Sequence, residues 1–145
     1  MKQPVFEGVA TALVTPFQSS TVDYPKLEQL LDFQLASGVD AIVVCGTTGE
    51  AATMTPQEQL GVIAHCIRYV AGRCKVIAGT GSNSTAHCLE TSRVAASIGA
   101  DALLLVTPYY NKCTQAGLIA HYLSVADAVN IPVILYNVPS RTGVD

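Results

Sequence analysis

The sequence predicts an α/β fold in which a parallel sheet is linked by helical crossovers, and three observations predict it. Five short runs read as near-continuous apolar segments, the pattern of strands buried on both faces. Amphipathic segments with clear start signals separate these runs, so that strands recur at intervals of about 25 to 35 residues. Most of the runs leave through turns rich in Gly, Thr, Tyr or Asn, which puts polar groups at the carboxyl ends of strands, where parallel α/β folds hold their ligands.

Val9-Ala10-Thr11-Ala12-Leu13-Val14-Thr15-Pro16-Phe17 is the expected first strand. After a polar turn, Asp23 can cap a helix that carries Leu27, Leu30, Leu31 and Leu35 on one face and ends at Gly38. Ala41-Ile42-Val43-Val44-Cys45 is the second strand, and it runs into the turn Gly46-Thr47-Thr48-Gly49-Glu50. The next helix opens with Thr55-Pro56-Gln57-Glu58, where Thr55 can cap, Pro56 suits the first helical position and Glu58 can close a capping box. Leu60, Ile63, Ala64, Ile67 and Val70 supply its apolar face. Val76-Ile77-Ala78 is the third strand, leading to Gly79-Thr80-Gly81-Ser82-Asn83, with Ser84 as a cap for a helix through Leu89, Ala95, Ala96 and Ile98. The fourth strand, Ala102-Leu103-Leu104-Leu105-Val106, leaves through Thr107-Pro108-Tyr109-Tyr110-Asn111. A helix from about Thr114 carries Leu118, Tyr122, Val125 and Val129, and Pro132-Val133-Ile134-Leu135-Tyr136 is the fifth strand.

Composition bounds the function. The 145 residues suit one domain, with 50% hydrophobic and 13% charged residues, enough apolar content for a well-buried core. A net charge of -3 and a pI near 5.5 give no basic stripe, which argues against nucleic acid as a partner. No apolar stretch reaches the ~20 residues needed to cross a bilayer, and Met1 to Phe6 lack the apolar core of a signal peptide, so a soluble, cytoplasmic protein with no membrane partner is expected. The five cysteines, Cys45, Cys66, Cys74, Cys88 and Cys113, form no CxxC pair and read as reduced thiols rather than a disulfide framework or a metal site.

Two architectures share this repeat. A doubly wound open sheet could be complete in five strands, whereas a (β/α)8 barrel needs about 250 residues and would be cut near its middle. The strand exits favour the barrel, because polar groups from many strand ends suit a barrel mouth better than one Gly-rich phosphate cradle does. Neither Gly-rich turn has a P-loop lysine or a dinucleotide spacing, which argues against a flavodoxin-like nucleotide binder. Read alone, the Gly46 to Glu50 turn can equally be a tight strand exit, Tyr136 a packed strand-end tyrosine and Arg141 a solvated loop charge.

Several motifs in order carry a specific resemblance. They are Gly8-Val9-Ala10-Thr11-Ala12 with Thr15-Pro16-Phe17, Gly46-Thr47-Thr48-Gly49-Glu50, Gly79-Thr80-Gly81, Thr107-Pro108-Tyr109-Tyr110-Asn111, and Tyr136-Asn137-Val138-Pro139 with Arg141-Thr142-Gly143. Together they resemble the N-terminal part of the dihydrodipicolinate synthase family, pyruvate-dependent class I aldolases that include N-acetylneuraminate lyase. The resemblance spans essentially the whole chain. Thr48 and the Ser140-Arg141-Thr142-Gly143 loop resemble the synthases more than the lyase. It implies that residues 1–145 form the first half of a (β/α)8 TIM barrel, about five strands and four helices, with no second domain.

The implied activity is lysine and diaminopimelate precursor synthesis, in which pyruvate forms a Schiff base with a lysine and the enamine attacks aspartate-4-semialdehyde. The proton movements call for a relay of hydroxyls that both donate and accept. By resemblance Thr47, Tyr110 and Tyr136 form that relay, with Tyr110 reaching into a neighbouring subunit's site. Thr48 would bind the pyruvate carboxylate, and Arg141 a carboxylate of the semialdehyde. No separate cofactor and no metal is implied, since pyruvate is held covalently by a lysine at the end of the sixth strand.

That lysine lies beyond the five strands of this chain. Lys75 begins the third strand, and about six residues rising ~3.3 Å each put it roughly 20 Å from the carboxyl end. Lys2 faces the same end, Lys26 sits on the first helix, and Lys112 alone lies in a loop at the catalytic face. The chain alone is therefore expected to be inactive, or, in the alternative reading, to be a non-catalytic half-barrel. Open edges and an open apolar interior predict self-association, through the Tyr110 face and the barrel edges, into a homo-oligomer. In lysine-inhibited relatives the effector positions align with Ala51, Ala52, Pro56, Gln59, Asn83, His87 and Tyr109. Asn83 and Tyr109 fit the sensitive pattern, whereas Pro56, Gln59 and His87 depart from it. His65 and His121 read as helix packing or surface residues.

Overall fold

The computed structural model describes residues 4–145. Five strands form one parallel sheet: β1 (Ala10–Ala12), β4 (Ala41–Val44), β5 (Lys75–Gly79), β6 (Ala102–Val106) and β7 (Val133–Tyr136), lying side by side in that order. Two short strands, β2 (Phe17–Gln18) and β3 (Thr21–Val22), make a separate antiparallel hairpin. Four crossover helices connect the sheet strands: α1 (Tyr24–Ala36), α2 (Pro56–Val70), α3 (Thr85–Ser97) and α4 (Gln115–Ala126). A one-turn helix, α5 (Pro139–Thr142), follows β7.

The two faces of the sheet decide between the open sheet and the barrel. Alternate strand residues Ile42, Val44, Val76, Ala78, Leu103 and Leu105 pack with the helix residues Leu27, Leu31, Val62, Ile63, Cys66, Cys88, Ala95 and Val125 in one large core. The opposite set, Ala41, Val43, Ile77, Ala102, Leu104 and Ile134, gathers in a small second cluster whose other members are Val5, Phe6 and Ala10. Among the described residues, no helix residue enters that second cluster. A doubly wound sheet reverses its strand order and carries helices on both faces. Here the strand order follows the chain without reversal and the helices share one face, as in the wall of a (β/α)8 barrel.

The helices begin where the sequence signals them. The Asp23 carboxylate accepts from the Lys26 amide at 2.9 Å. Thr55 and Glu58 close a reciprocal box, with Glu58 Oε2 accepting from the Thr55 amide at 2.8 Å and Thr55 Oγ1 from the Glu58 amide at 3.2 Å. That exchange holds the Glu58 carboxyl below its ordinary pKa. Ser84 and Thr114 cap α3 and α4 one way, their hydroxyls accepting from the His87 and Gly117 amides. Beyond α1, Gly38 takes φ +74°, the left-handed step that ends a helix without a Cβ penalty.

Two expectations change. The run from Val9 to Phe17 is not one strand: pairing with β4 stops at Ala12, and Phe17 turns into the hairpin through Ser19 at φ +59°. Four crossover helices are present as expected, but α5 is an additional turn of helix that apolar periodicity could not reveal in four residues. His121 is a packing residue, one of the two readings expected: it is 4% exposed and its Nδ1 lies 2.9 Å from Thr85 Oγ1, joining α4 to α3. Burial pushes its imidazole below the usual histidine pKa. His65 packs as expected, with its ring 4.7 Å from that of Tyr24 and its Nε2 3.0 Å from Glu28 Oε1.

The outer edges of β1 and β7 are unpaired among the described residues, and Leu135, on the helix-facing side of β7, is 58% exposed. Between the inner strands the fit is tight. A Cβ on Gly79 would overlap the Cys45 carbonyl, and one on Gly81 would overlap the Val106 amide. Because backbone, not a flexible side chain, would have to move, Gly79→Ala is expected to cost about 3 kcal/mol, the upper part of the usual overpacking range. Urea unfolding of the chain checks this, and an unchanged midpoint would contradict the close approach.

Candidate functional site

Strands β4, β5, β6 and β7 end at the same edge of the sheet, and their exits build the site. Cys45, directly after β4, takes φ +54°, a conformation uncommon outside glycine. The chain then folds back: the Glu50 amide donates to the Thr47 carbonyl at 3.1 Å, and Thr15 Oγ1 donates to the Gly49 carbonyl at 2.8 Å. A Cβ on Gly49 would sit 3.0 Å from the Cys45 amide, so this glycine lets the turn close over the strand end. Glu50 itself adopts φ +57° and leads into a short 3-10 turn at Ala51–Thr53.

The β6 exit is strained twice. Tyr110 has φ +75° at the centre of a γ-turn in which the Asn111 amide donates to the Tyr109 carbonyl at 3.0 Å, and Lys112 has φ +43°. A bulky residue in this region is a true outlier, and Tyr110 is 91% exposed, so no intrachain packing of its ring compensates. Thr107, just before it, is buried with its hydroxyl 3.1 Å from Tyr122 Oη. After β7, α5 is anchored by the buried Thr142, whose hydroxyl donates to the Val144 carbonyl at 3.0 Å. Arg141 projects from its last turn, exposed to solvent. The stem of Lys112 lies against Gly143, tying the β6 loop to the end of α5.

These exits enclose a cleft of about 270 Å³, close to the lower end of ordinary ligand sites at ~300 Å³. Thr47, Tyr136 and Arg141 all line it, so three of the five site residues expected from sequence come from three different segments into one cavity. Thr48 and Tyr110 do not line it: both are exposed, Thr48 on the turn and Tyr110 on the loop. Glu50 and Tyr109 line the cleft as well. Glu50 stands inside a motif that the sequence singles out, but its left-handed backbone, which sets its position, has no signature in residue type.

The buried wall of the cleft includes Cys45, whose thiol is pushed up to about 12, by burial first and by the neighbouring Cys66 second. Burial likewise takes Cys66 to about 12. Both are neutral, unreactive thiols at ordinary pH. Among the described residues no group of three His, Cys, Asp or Glu side chains could hold a metal ion. No helix among them is long and apolar enough to cross a membrane.

The lysines divide as their strand positions require. Lys75 opens β5 at the far end of the sheet, its Nζ 2.8 Å from Asp101 Oδ1, a hydrogen bond that raises its pKa. Lys26 lies on α1, Lys112 on the β6 exit loop, and Lys2 falls outside the described residues.

Residues 5–145 match the model of the dihydrodipicolinate synthetase family. The chain belongs to that family. It is 56% identical over 142 residues to 4-hydroxy-tetrahydrodipicolinate synthase of Thermoanaerobacter sp. (strain X514), a match covering 98% of this chain and 48% of the relative. The crystal structure of dihydrodipicolinate synthase from Aquifex aeolicus superposes with a TM-score of 0.95 at 50% identity, covering 97% of this chain and 48% of that one. The enzyme from Cyanidioschyzon merolae with lysine bound superposes at 0.95 and 45% identity, over 99% and 49%. The chain therefore spans about half the length of the curated relatives it matches, and its fold is the N-terminal half of their barrel.

Native alkylation tests the buried wall. With maleimide at pH 8, Cys74 and Cys113, both partly exposed, are expected to react while Cys45, Cys66 and Cys88 do not. Modification of Cys45 as fast as Cys113 would contradict the closed packing behind Thr47.

Proposed function

We propose that this chain contributes the proton relay and the substrate clamps of a 4-hydroxy-tetrahydrodipicolinate synthase, which condenses pyruvate with L-aspartate-4-semialdehyde. The observation that carries the reading is the cleft in which a hydroxyl (Thr47), a phenol (Tyr136) and a guanidinium (Arg141) meet from three segments. The reaction class needs each of them. Attack of a lysine amine on the pyruvate carbonyl releases water, loss of a methyl proton gives the enamine, and its carbon bonds to the aldehyde, whose oxygen takes up a proton. Thr47 and Tyr136, each able to donate and accept, suit the transfer of those protons. Arg141 suits the carboxylate of the semialdehyde, because its planar fork of donors matches a carboxylate's two oxygens.

In this reading Tyr110 completes the relay from a neighbouring subunit. The exposed ring on a strained γ-turn supports that role, since backbone strain of ~1–3 kcal/mol concentrates where a residue is held for a function. Thr48 is assigned the pyruvate carboxylate by resemblance to the family; it shares the Thr47 turn but is exposed outside the cleft. The imine-forming amine is supplied by the part of the barrel that follows β7. Lys112 is the one described lysine on this edge, and it does not line the cleft. On this account the chain is inactive alone and needs no cofactor beyond the covalently held pyruvate. The open edges of β1 and β7 support association, either with that second half or with another copy. Gln59 is buried against β5, which supports the reading that the lysine-effector pattern is not kept here.

Complementation is the test. Mixed with the C-terminal half of the Thermoanaerobacter relative, the chain is expected to gain condensation activity, and Tyr136→Phe is expected to lower that activity by about 100-fold or more, the scale of lost proton transfer. Activity indifferent to Tyr136→Phe would sink the relay.

A further inference from the structure

Thr47 follows Cys45 and Gly46 at the end of β4, and the left-handed step there is taken by Cys45, not by the glycine. Cys45 is 2% exposed and holds φ +54°, and the carbonyl of this residue presses on Gly79 of the next strand. A conformation of this kind persists when its surroundings over-determine it. One residue touches both strand ends, Gly79 through its side chain and Cys45 through its backbone. Gln59, in the second turn of α2, is 6% exposed, and its Nε2 donates to the Gly79 carbonyl at 2.9 Å. Its own backbone carbonyl faces Cys45 Sγ at 3.7 Å. The capping box at Thr55 and Glu58 fixes the start of α2 one turn earlier, so Gln59 enters this contact from a rigid helix.

We propose that Gln59 is a positioning residue for catalysis: it clasps Cys45 and Gly79 and so sets where Thr47 presents its hydroxyl to the cleft. A carboxamide suits the place. It supplies a neutral donor to a buried carbonyl, where a charged donor would meet a desolvation cost and an apolar residue would leave Gly79 without its partner. The inference rests on the proposed relay, because it gives Thr47 a chemical task.

A double-mutant cycle in the complemented enzyme separates the two. Thr47→Val is expected to lower kcat by about 100-fold. Gln59→Met, close in volume but without a donor, is expected to lower kcat about tenfold with KM for pyruvate little changed, and Gln59→Glu, assayed at pH 5 where its acid form can donate, to recover part of the loss. In the Thr47→Val background Gln59→Met should cost less than twofold. An equal tenfold loss in both backgrounds would overturn the positioning role and leave the relay standing. A Thr47→Val enzyme with full activity would bring down the relay and this inference together. Amide exchange in the chain alone gives a second readout, since the Glu50 amide is bonded to the Thr47 carbonyl. Gln59→Met, or Cys45→Ala if that variant does not fold, should speed exchange at Glu50 at least tenfold and leave α1 unaltered. Unchanged exchange at Glu50 would overturn the proposal.

Discussion

Where β4 and β5 end, the Cys45 carbonyl occupies the space that a side chain at residue 79 would need. The geometry of the cleft depends on this close approach. It makes Gly79 obligatory, lets Cys45 turn out of the sheet at φ +54°, and brings the Thr47 turn over the inner face instead of away from it. The same device recurs one strand on, where Gly81 passes the Val106 amide. Backbones packed at this distance cannot be relaxed by rotamer changes, so the strand ends are stiff.

A one-sided helix layer turns that stiffness into a site. With α1 to α4 on one face, the sheet curves so that its other face looks inward, and successive strand exits converge on one cavity. Each exit contributes a different chemistry because each uses a different local solution: a folded-back threonine turn, a strained tyrosine loop, and a one-turn helix that carries Arg141. Polar groups there can face the cleft because the helix-facing residues of the same strands carry the burial. The inner cluster is small by comparison, and Val5 and Phe6 of the N-terminal segment are part of it.

Much of this architecture is legible in the sequence. Asp23, Thr55 with Glu58, Ser84 and Thr114 each cap the helix whose start they signal, because a cap is a local hydrogen bond between neighbours in the chain. The apolar runs mark the strands for a similar reason, since each strand buries its own contiguous residues. The hairpin at Phe17 to Val22 falls where the sequence reads a strand end followed by a polar turn, because two-residue strands are too short to show an apolar pattern, and β1 stops at Ala12 where its pairing with β4 ends. Sequence alone marks Gln59 only as an effector position. Its burial depends on a carbonyl twenty positions further along the chain, and no residue pattern in α2 announces that. Thr47, Tyr136 and Arg141 meet in one cleft through topology, whereas the exposed settings of Thr48 and Tyr110 depend on backbone angles that residue type does not specify.

The proposed function divides the labour: in it this chain holds the relay and the carboxylate clamps, and the amine that captures pyruvate comes from the other half of the barrel. Intact mass after incubation with pyruvate and borohydride, which reduces and fixes any imine, tests it most directly. The account predicts no adduct on this chain alone, and, when the C-terminal half is added, a stoichiometric pyruvyl adduct on that half only. A stoichiometric adduct on this chain, with Lys112 the first residue to check, would contradict it.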